Sequence, residues 1–273
     1  MHESILVYRR HLYLKLALAL AVAASAAYLL HQPLGRPNGG TWLGYTLGGV
    51  AGGLMVWLAW FGVRKRKYGV GKLPLEDWLS AHVYLGLCLM VVATLHAGFQ
   101  VGLNVHTVLY VLMSIVILSG IIGVYFYVRF PRLLTENRRG MSAEIMLGQI
   151  ADLDREIRQL AMELDDATNA AALKSTQETI VGGTILQQLR GFDPDCPTTQ
   201  ARAFVEASQA AGQDSRRRQL LTRLVRKEEL LRRLRRDIQL RGLLRIWLFV
   251  HVPLSVASLV ALAVHIVTVF YYW

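Results

Sequence analysis

The sequence predicts an all-α membrane protein, in which five transmembrane helices form a bundle and a cytoplasmic helical hairpin lies between the fourth and fifth. Two observations predict this fold. Hydrophobic residues make up 53% of the 273 residues and collect into five runs of about twenty or more, the length that crosses roughly 30 Å of hydrocarbon. A long polar segment with coiled-coil spacing separates the last two runs.

The five apolar runs define the division of the chain. They are Leu12–Leu30, Thr41–Val63, Trp78–Gly98, Val105–Val128 and Ile246–Tyr272. We therefore expect helices one to four in residues 1–130, an insertion in residues 131–245 and a fifth helix in residues 246–273. The first run follows basic residues and also fits a cleavable signal peptide, but we expect it to be retained as a signal anchor.

The distribution of basic residues predicts the orientation in the membrane. The net charge is +11, and the basic residues outside the insertion are Arg9, Arg10, Lys15, Arg36, Arg64, Lys65, Arg66, Lys67, Lys72 and Arg129. Only Arg36 lies between the first and second spans. By the positive-inside rule, the N-terminus and the insertion are cytoplasmic and the C-terminus is external. We expect a bacterial inner-membrane protein with membrane lipid as a partner and no nucleic acid, because nothing resembles a recognition module.

Several other classes of site are excluded by the cysteines and glycines. Cys88 and Cys196 cannot form a disulfide framework, and there is no C-x-x-C-H for a covalently attached c-type haem. No cysteine cluster suits zinc or iron–sulfur, and no glycine-rich phosphate loop follows a strand pattern. The sequence therefore offers no catalytic residue and no nucleotide-binding domain.

Two segments of the insertion have apolar residues spaced alternately four and three apart, which is typical of a coiled-coil seam. The first contains Met146, Ile150, Leu153, Ile157, Leu160 and Leu164, and the second contains Leu220, Leu224, Leu231, Leu234 and Ile238, with Lys227 as a polar interruption. Turn-forming residues at 191–200 between them predict an antiparallel hairpin. A docking arm or dimerisation element is the favoured role; a solvated spacer and pairing wholly inside the hairpin are alternatives.

Two histidine pairs repeat with the same spacing in the third and fifth spans. "AHVYLGLCLMVVATLHAG" contains His82 and His96, and "VHVPLSVASLVALAVHIV" contains His251 and His265, each pair fourteen residues apart. Fourteen residues advance about 21 Å along a helix and return to within roughly 40° of the starting direction. Because these two spans run in the same direction, His82 matches His251 near the cytoplasmic side, and His96 matches His265 near the external side.

Two pairs of imidazoles that face each other at two depths would ligate two metal centres. Haem fits best, because each iron takes one axial ligand from each helix, whereas zinc requires four ligands at one level. Small residues on the same helix faces leave space for a porphyrin. They are Gly86, Ala93, Ser255 and Ser258. Helix–helix hydrogen bonds and proton relays are the alternatives for intramembrane histidines.

Further residues have open roles. In the second span, Gly44, Gly48 and Gly52 are typical of small-xxx-small helix packing, with or without a ligand. His31 and His106 are expected at the external ends of spans, where an interfacial position, a haem propionate contact and a quinone contact are alternatives. His11 is expected to be interfacial.

Four arginines are expected at the cytoplasmic ends of spans. They are Arg64, Arg66, Arg129 and Arg245. Each could pair with haem carboxylates or anchor its helix in the interface.

The two histidine segments resemble the paired-histidine helices of di-haem b-type cytochromes, a group that includes the respiratory and photosynthetic cytochromes b and the ferric reductase-like membrane domains. The resemblance covers the five spans and not the insertion. It implies two non-covalent b-type haems, held by His82 with His251 and by His96 with His265, and electron transfer across the membrane. The P-E-W-Y quinol-site motif is absent, and no sixth helix, flavin domain or nicotinamide domain follows in this sequence.

We therefore expect an electron-transfer subunit of a larger redox complex. The expected partners are an external c-type or multihaem cytochrome, a cytoplasmic flavin or iron–sulfur protein docked on the hairpin, the quinone pool and, as an alternative, a second copy of the chain. Two rival functions remain. One is a haem- or redox-responsive signalling or scaffold protein that acts through its coiled coil, and the other is a proton-coupled transporter with the histidines as relays.

Overall fold

The computed structural model describes residues 7–33, 35, 37–66, 74–191, 193–209 and 214–271, and within them every regular element is an α-helix. The predicted all-α class is confirmed for this part of the chain. Arg36, Lys67, Lys72 and residues 272–273, on which parts of the topology prediction depend, lie outside the described residues. Among the helices of these described residues, five are long and apolar enough to cross a membrane, as the sequence predicts.

The helices that contain the fourth and fifth predicted spans extend far beyond them. The helices in chain order are α1 (Tyr8–Leu30), α2 (Trp42–Arg66), α3 (Leu75–Ala97), α4 (Val105–Arg138), α5 (Ala143–Ala161), α6 (Asp166–Glu178), α7 (Ile185–Arg190), α8 (Pro197–Gln209) and α9 (Ser215–Tyr271). Helix α4 continues past Pro131, where the sequence predicts the insertion to begin. Helix α9 contains both the second coiled-coil segment and the fifth apolar run, and no proline lies between its start at Ser215 and Pro253.

The chain divides into two compact units. The apolar unit comprises Met1–Val128 with Trp247–Trp273, and the polar unit comprises Arg129–Ile246. The core of the apolar unit is formed by side chains such as Leu47, Leu89 and Val92, while many other apolar side chains on its helices are exposed. Exposed apolar helix faces are what a bilayer covers.

The polar unit buries the residues of the predicted seam. Its core includes Met146, Ile150, Leu153 and Ile157 from α5, and Leu220, Leu224, Leu231 and Leu234 from α9. Ala172 of α6 and Val205 of α8 also lie in this core. The antiparallel hairpin and its docking role stay predictions.

Lys227 is the polar residue that interrupts this seam, and its side chain is only 1% exposed. Its ammonium lies 2.6 Å from Asp154 of α5 and donates to the backbone carbonyl of Ser175 in α6, also at 2.6 Å. A buried charge without a partner costs several kcal/mol. This lysine of α9 therefore favours the one arrangement in which α5 and α6 supply its partners.

We predict that Asp154→Ala destabilises the polar unit by about 3–5 kcal/mol, because it leaves the Lys227 ammonium buried without a counter-charge. Hydrogen–deuterium exchange of the α5 amides in the full chain measures the effect. Asp152→Ala is the matched control, since Asp152 is exposed and forms its ion pair with Arg155 on its own helix. Equal exchange in the two variants would contradict the assignment.

Candidate functional site

The four histidines predicted as ligands lie half-buried on α3 and α9 of the apolar unit. The ring centres of His96 and His265 are 6.1 Å apart, with the ring planes at 89°. We call His82 and His251 the first pair and His96 and His265 the second pair. The structure places the rings of the second pair near each other, and the pairing of His82 with His251 stays a prediction.

His96 lies in the last turn of α3 and contacts α2. Its Nδ1 is 2.8 Å from the backbone carbonyl oxygen of Gly44. Because a carbonyl only accepts hydrogen bonds, Nδ1 carries the proton and donates it, and Nε2 keeps its lone pair. An imidazole in this tautomer can bind a metal through Nε2, with its other nitrogen oriented by a backbone carbonyl.

The glycines of α2 explain how the His96 ring fits. A Cβ on Gly48 would lie 2.7 Å from Cε1 and 3.0 Å from Nδ1 of His96, closer than a real side chain allows. A Cβ on the neighbouring Gly49 would meet no atom within 4 Å. Gly48 is therefore required for the approach of His96 to the Gly44 carbonyl, a role that small-xxx-small spacing alone does not distinguish from helix packing.

His251 is oriented by two residues for which the sequence analysis assigns no role. The Ser119 hydroxyl of α4 lies 2.7 Å from Nδ1 of His251 and 2.8 Å from the backbone carbonyl of Val116. Since the hydroxyl donates its single proton to that carbonyl, it accepts from His251, whose Nε2 again keeps its lone pair. Trp247 stacks on the His251 ring at 5.1 Å and donates its indole N–H to the Ser119 carbonyl at 2.7 Å.

His265 contacts another histidine. Its Nδ1 lies 2.5 Å from Nδ1 of His106, which is in the first turn of α4, and the ring centres are 4.6 Å apart with the planes at 89°. One ring donates and the other accepts in this contact. The structure thus assigns a direct contact to His106, whose role the sequence analysis leaves open.

His82 differs from the other three. Its Nδ1 is buried and has no hydrogen-bond partner in the described part of the chain. Its ring centre lies 5.0 Å from that of Phe61 in α2. A buried polar atom without a partner costs about 1–3 kcal/mol, so this position favours a group that satisfies the imidazole.

The four small residues predicted to provide clearance for a porphyrin differ in the space beside them. A Cβ on Gly86 would meet no atom within 4 Å, so there is space beside α3 at this residue. Ala93 and Ser258 are buried by other protein groups. The hydroxyls of Ser255 and Ser258 donate to carbonyls of α9 itself, at 2.8 and 3.0 Å. Clearance for a porphyrin at Ala93, Ser255 and Ser258 stays a prediction.

The second pair offers a donor set that suits haem. Its two imidazoles would hold the iron, and their ring centres are 6.1 Å apart. The described residues contain no group of three or more His, Cys, Asp or Glu side chains that could hold a metal ion, whereas haem iron needs only two imidazoles.

A polar cluster joins the beginnings of α1 and α3. Asp77 is 1% exposed, forms an ion pair with Arg9 at 3.0 Å and accepts a hydrogen bond from the Tyr13 hydroxyl at 3.0 Å. This cluster fixes the start of the helix that carries His82 and His96. His31 belongs to neither pair, and its ring lies 5.2 Å from that of Trp42.

Comparison of the chain with family models, curated proteins and solved structures gave no match. The likeness to di-haem cytochromes b accordingly stays a prediction from the two histidine segments.

We predict that Gly48→Ala displaces the His96 ring from the Gly44 carbonyl and lowers the haem content of the purified chain from two per chain to one. A pyridine haemochromogen assay, normalised to protein, measures the content. Gly49→Ala is the matched control, because its added methyl group meets open space. The assignment is wrong if both variants retain the same haem content.

Proposed function

We propose that this chain is a membrane di-haem cytochrome b subunit that transfers electrons across the membrane, between a quinone or cytoplasmic redox partner and an external cytochrome-type partner. The observation that supports the proposal is the proximity of the His96 and His265 rings on two apolar helices, which carry His82 and His251 at the same spacing. In His96 and His251 the Nδ1 proton is donated to a protein acceptor, so Nε2 is available for a metal.

Different residues would bind each haem and orient its ligands. The first pair would hold one haem and the second pair the other. Bound there, each haem supplies a one-electron couple between its ferric and ferrous iron. The Gly44 carbonyl and the Ser119 hydroxyl orient two of the imidazoles. Buried apolar residues such as Val92 and Leu262 exclude water from the core of the apolar unit.

The spacing of the pairs supports transfer across the membrane rather than storage at one level. Residues 82 and 96, like residues 251 and 265, are separated by about 21 Å of helix rise, most of a hydrocarbon core of roughly 30 Å. We propose a bacterial inner-membrane location with the N-terminus and residues 131–245 cytoplasmic and the C-terminus external. An external c-type or multihaem cytochrome and a cytoplasmic flavin or iron–sulfur protein are the proposed partners.

The proposal is tested with full chains purified from cells that make haem. We predict that His96→Ala and His82→Ala each lose one b-type haem and retain the other, because each removes one axial ligand of a different pair. Reduced-minus-oxidised absorbance of the α-band measures the content. His31→Ala is the matched control and should retain two haems.

Two outcomes would overturn the proposal. Absence of a b-type α-band from the unmodified chain rules out haem binding altogether. Loss of haem in His31→Ala to the same extent as in His96→Ala would show that the losses follow misfolding rather than ligation.

A signalling function is the second candidate, favoured by the continuity of α9. One helix, Ser215–Tyr271, contains Lys227 of the polar unit and both His251 and His265. Deletion of residues 141–241 discriminates the two functions. Electron transfer that survives the deletion while a downstream response is lost favours signalling, and loss of electron transfer favours the docking of a redox partner.

A further inference from the structure

We infer that His106 is a positioning residue for His265: its Nδ1 accepts the Nδ1 proton of His265 and fixes the tautomer in which Nε2 of His265 is free to bind iron. The inference rests on the proposed function, because the direction of this hydrogen bond follows from the ligand role of His265. It assigns to His106 a role other than a propionate contact, a quinone contact or a solvated interfacial position.

The geometry excludes His106 as an axial partner of His265. The ring centres of these two residues are 4.6 Å apart, and their Nδ1 atoms are in hydrogen-bond contact at 2.5 Å. An iron between two imidazole nitrogens needs about 2 Å to each of them, so none fits between two nitrogens in hydrogen-bond contact. His106 therefore acts on His265 and not as the second ligand.

The direction of the hydrogen bond follows from the tautomers. An imidazole that binds iron through Nε2 carries its proton on Nδ1, and this proton needs an acceptor. In His96 the acceptor is the Gly44 carbonyl, and in His251 it is the Ser119 hydroxyl. In His265 the atom that faces Nδ1 is Nδ1 of His106. Nδ1 of His106 is therefore the acceptor, and the His106 proton is on Nε2.

This arrangement has an electronic consequence. A hydrogen bond donated by the ligand imidazole raises its basicity, and a more basic ligand stabilises ferric over ferrous iron. Removal of the acceptor at position 106 should raise the midpoint potential of the second-pair haem. The first-pair haem should not respond, because neither His82 nor His251 hydrogen bonds to His106.

The test is an optical redox titration of the full chain with three variants at two positions. His106→Leu removes the acceptor, and His106→Gln retains one in its side-chain carbonyl. His31→Leu is the matched control, a histidine outside both pairs whose ring lies against Trp42. We expect all variants to bind two haems. We also expect His106→Leu alone to raise one of the two midpoint potentials, and His106→Gln to restore it at least in part.

The outcomes separate the inference from the proposed function. If the unmodified chain binds no haem, the proposed function fails. If it binds two and His106→Leu leaves both potentials unchanged, the positioning role is wrong while the proposed function stands. Loss of one haem in His106→Leu that His106→Gln does not prevent would also overturn the inference, because a merely structural role predicts that result. An equal shift of one potential in His31→Leu would overturn it as well.

Discussion

The arrangement of the apolar unit depends on one constraint: an imidazole N–H inside the hydrocarbon layer must find an acceptor within the protein. Gly44 supplies a backbone carbonyl to His96, and Ser119 supplies a hydroxyl whose own proton is already donated. Each acceptor selects one tautomer, and each tautomer leaves Nε2 with a lone pair. The hydrogen bond that satisfies the N–H of each ring thus also leaves its Nε2 available, as the proposed ligand role requires.

The polar unit meets the same physical requirement with a charge. Lys227 is buried among apolar seam residues, and Asp154 and the Ser175 carbonyl satisfy its ammonium. Burial lowers the pKa of Lys227, against the opposing effect of Asp154. In both units, then, a buried polar side chain costs free energy unless particular partners are in place, and this cost favours one packing of the helices over others.

Periodicity and spacing in the sequence predict the helical class, the five apolar helices and the pairing of the histidines. They do so because buried apolar side chains recur at the period of the helix. In addition, histidines at equal spacing on two parallel helices lie at equal depths along the bundle. Ser119, Trp247 and His106 act through contacts between helices, and no spacing within one helix indicates such contacts. The continuation of α4 past Pro131 is likewise not evident from composition, since proline is a typical helix breaker.

The central claim is that two imidazole pairs ligate two irons. Low-temperature electron paramagnetic resonance of the oxidised, purified full chain tests it most directly, because the signal reports the axial ligands themselves. Ligation by two histidines at each site predicts two low-spin ferric haem signals, both of the bis-imidazole type. A spectrum without haem signals, or one dominated by a high-spin ferric haem with an open axial position, would contradict it.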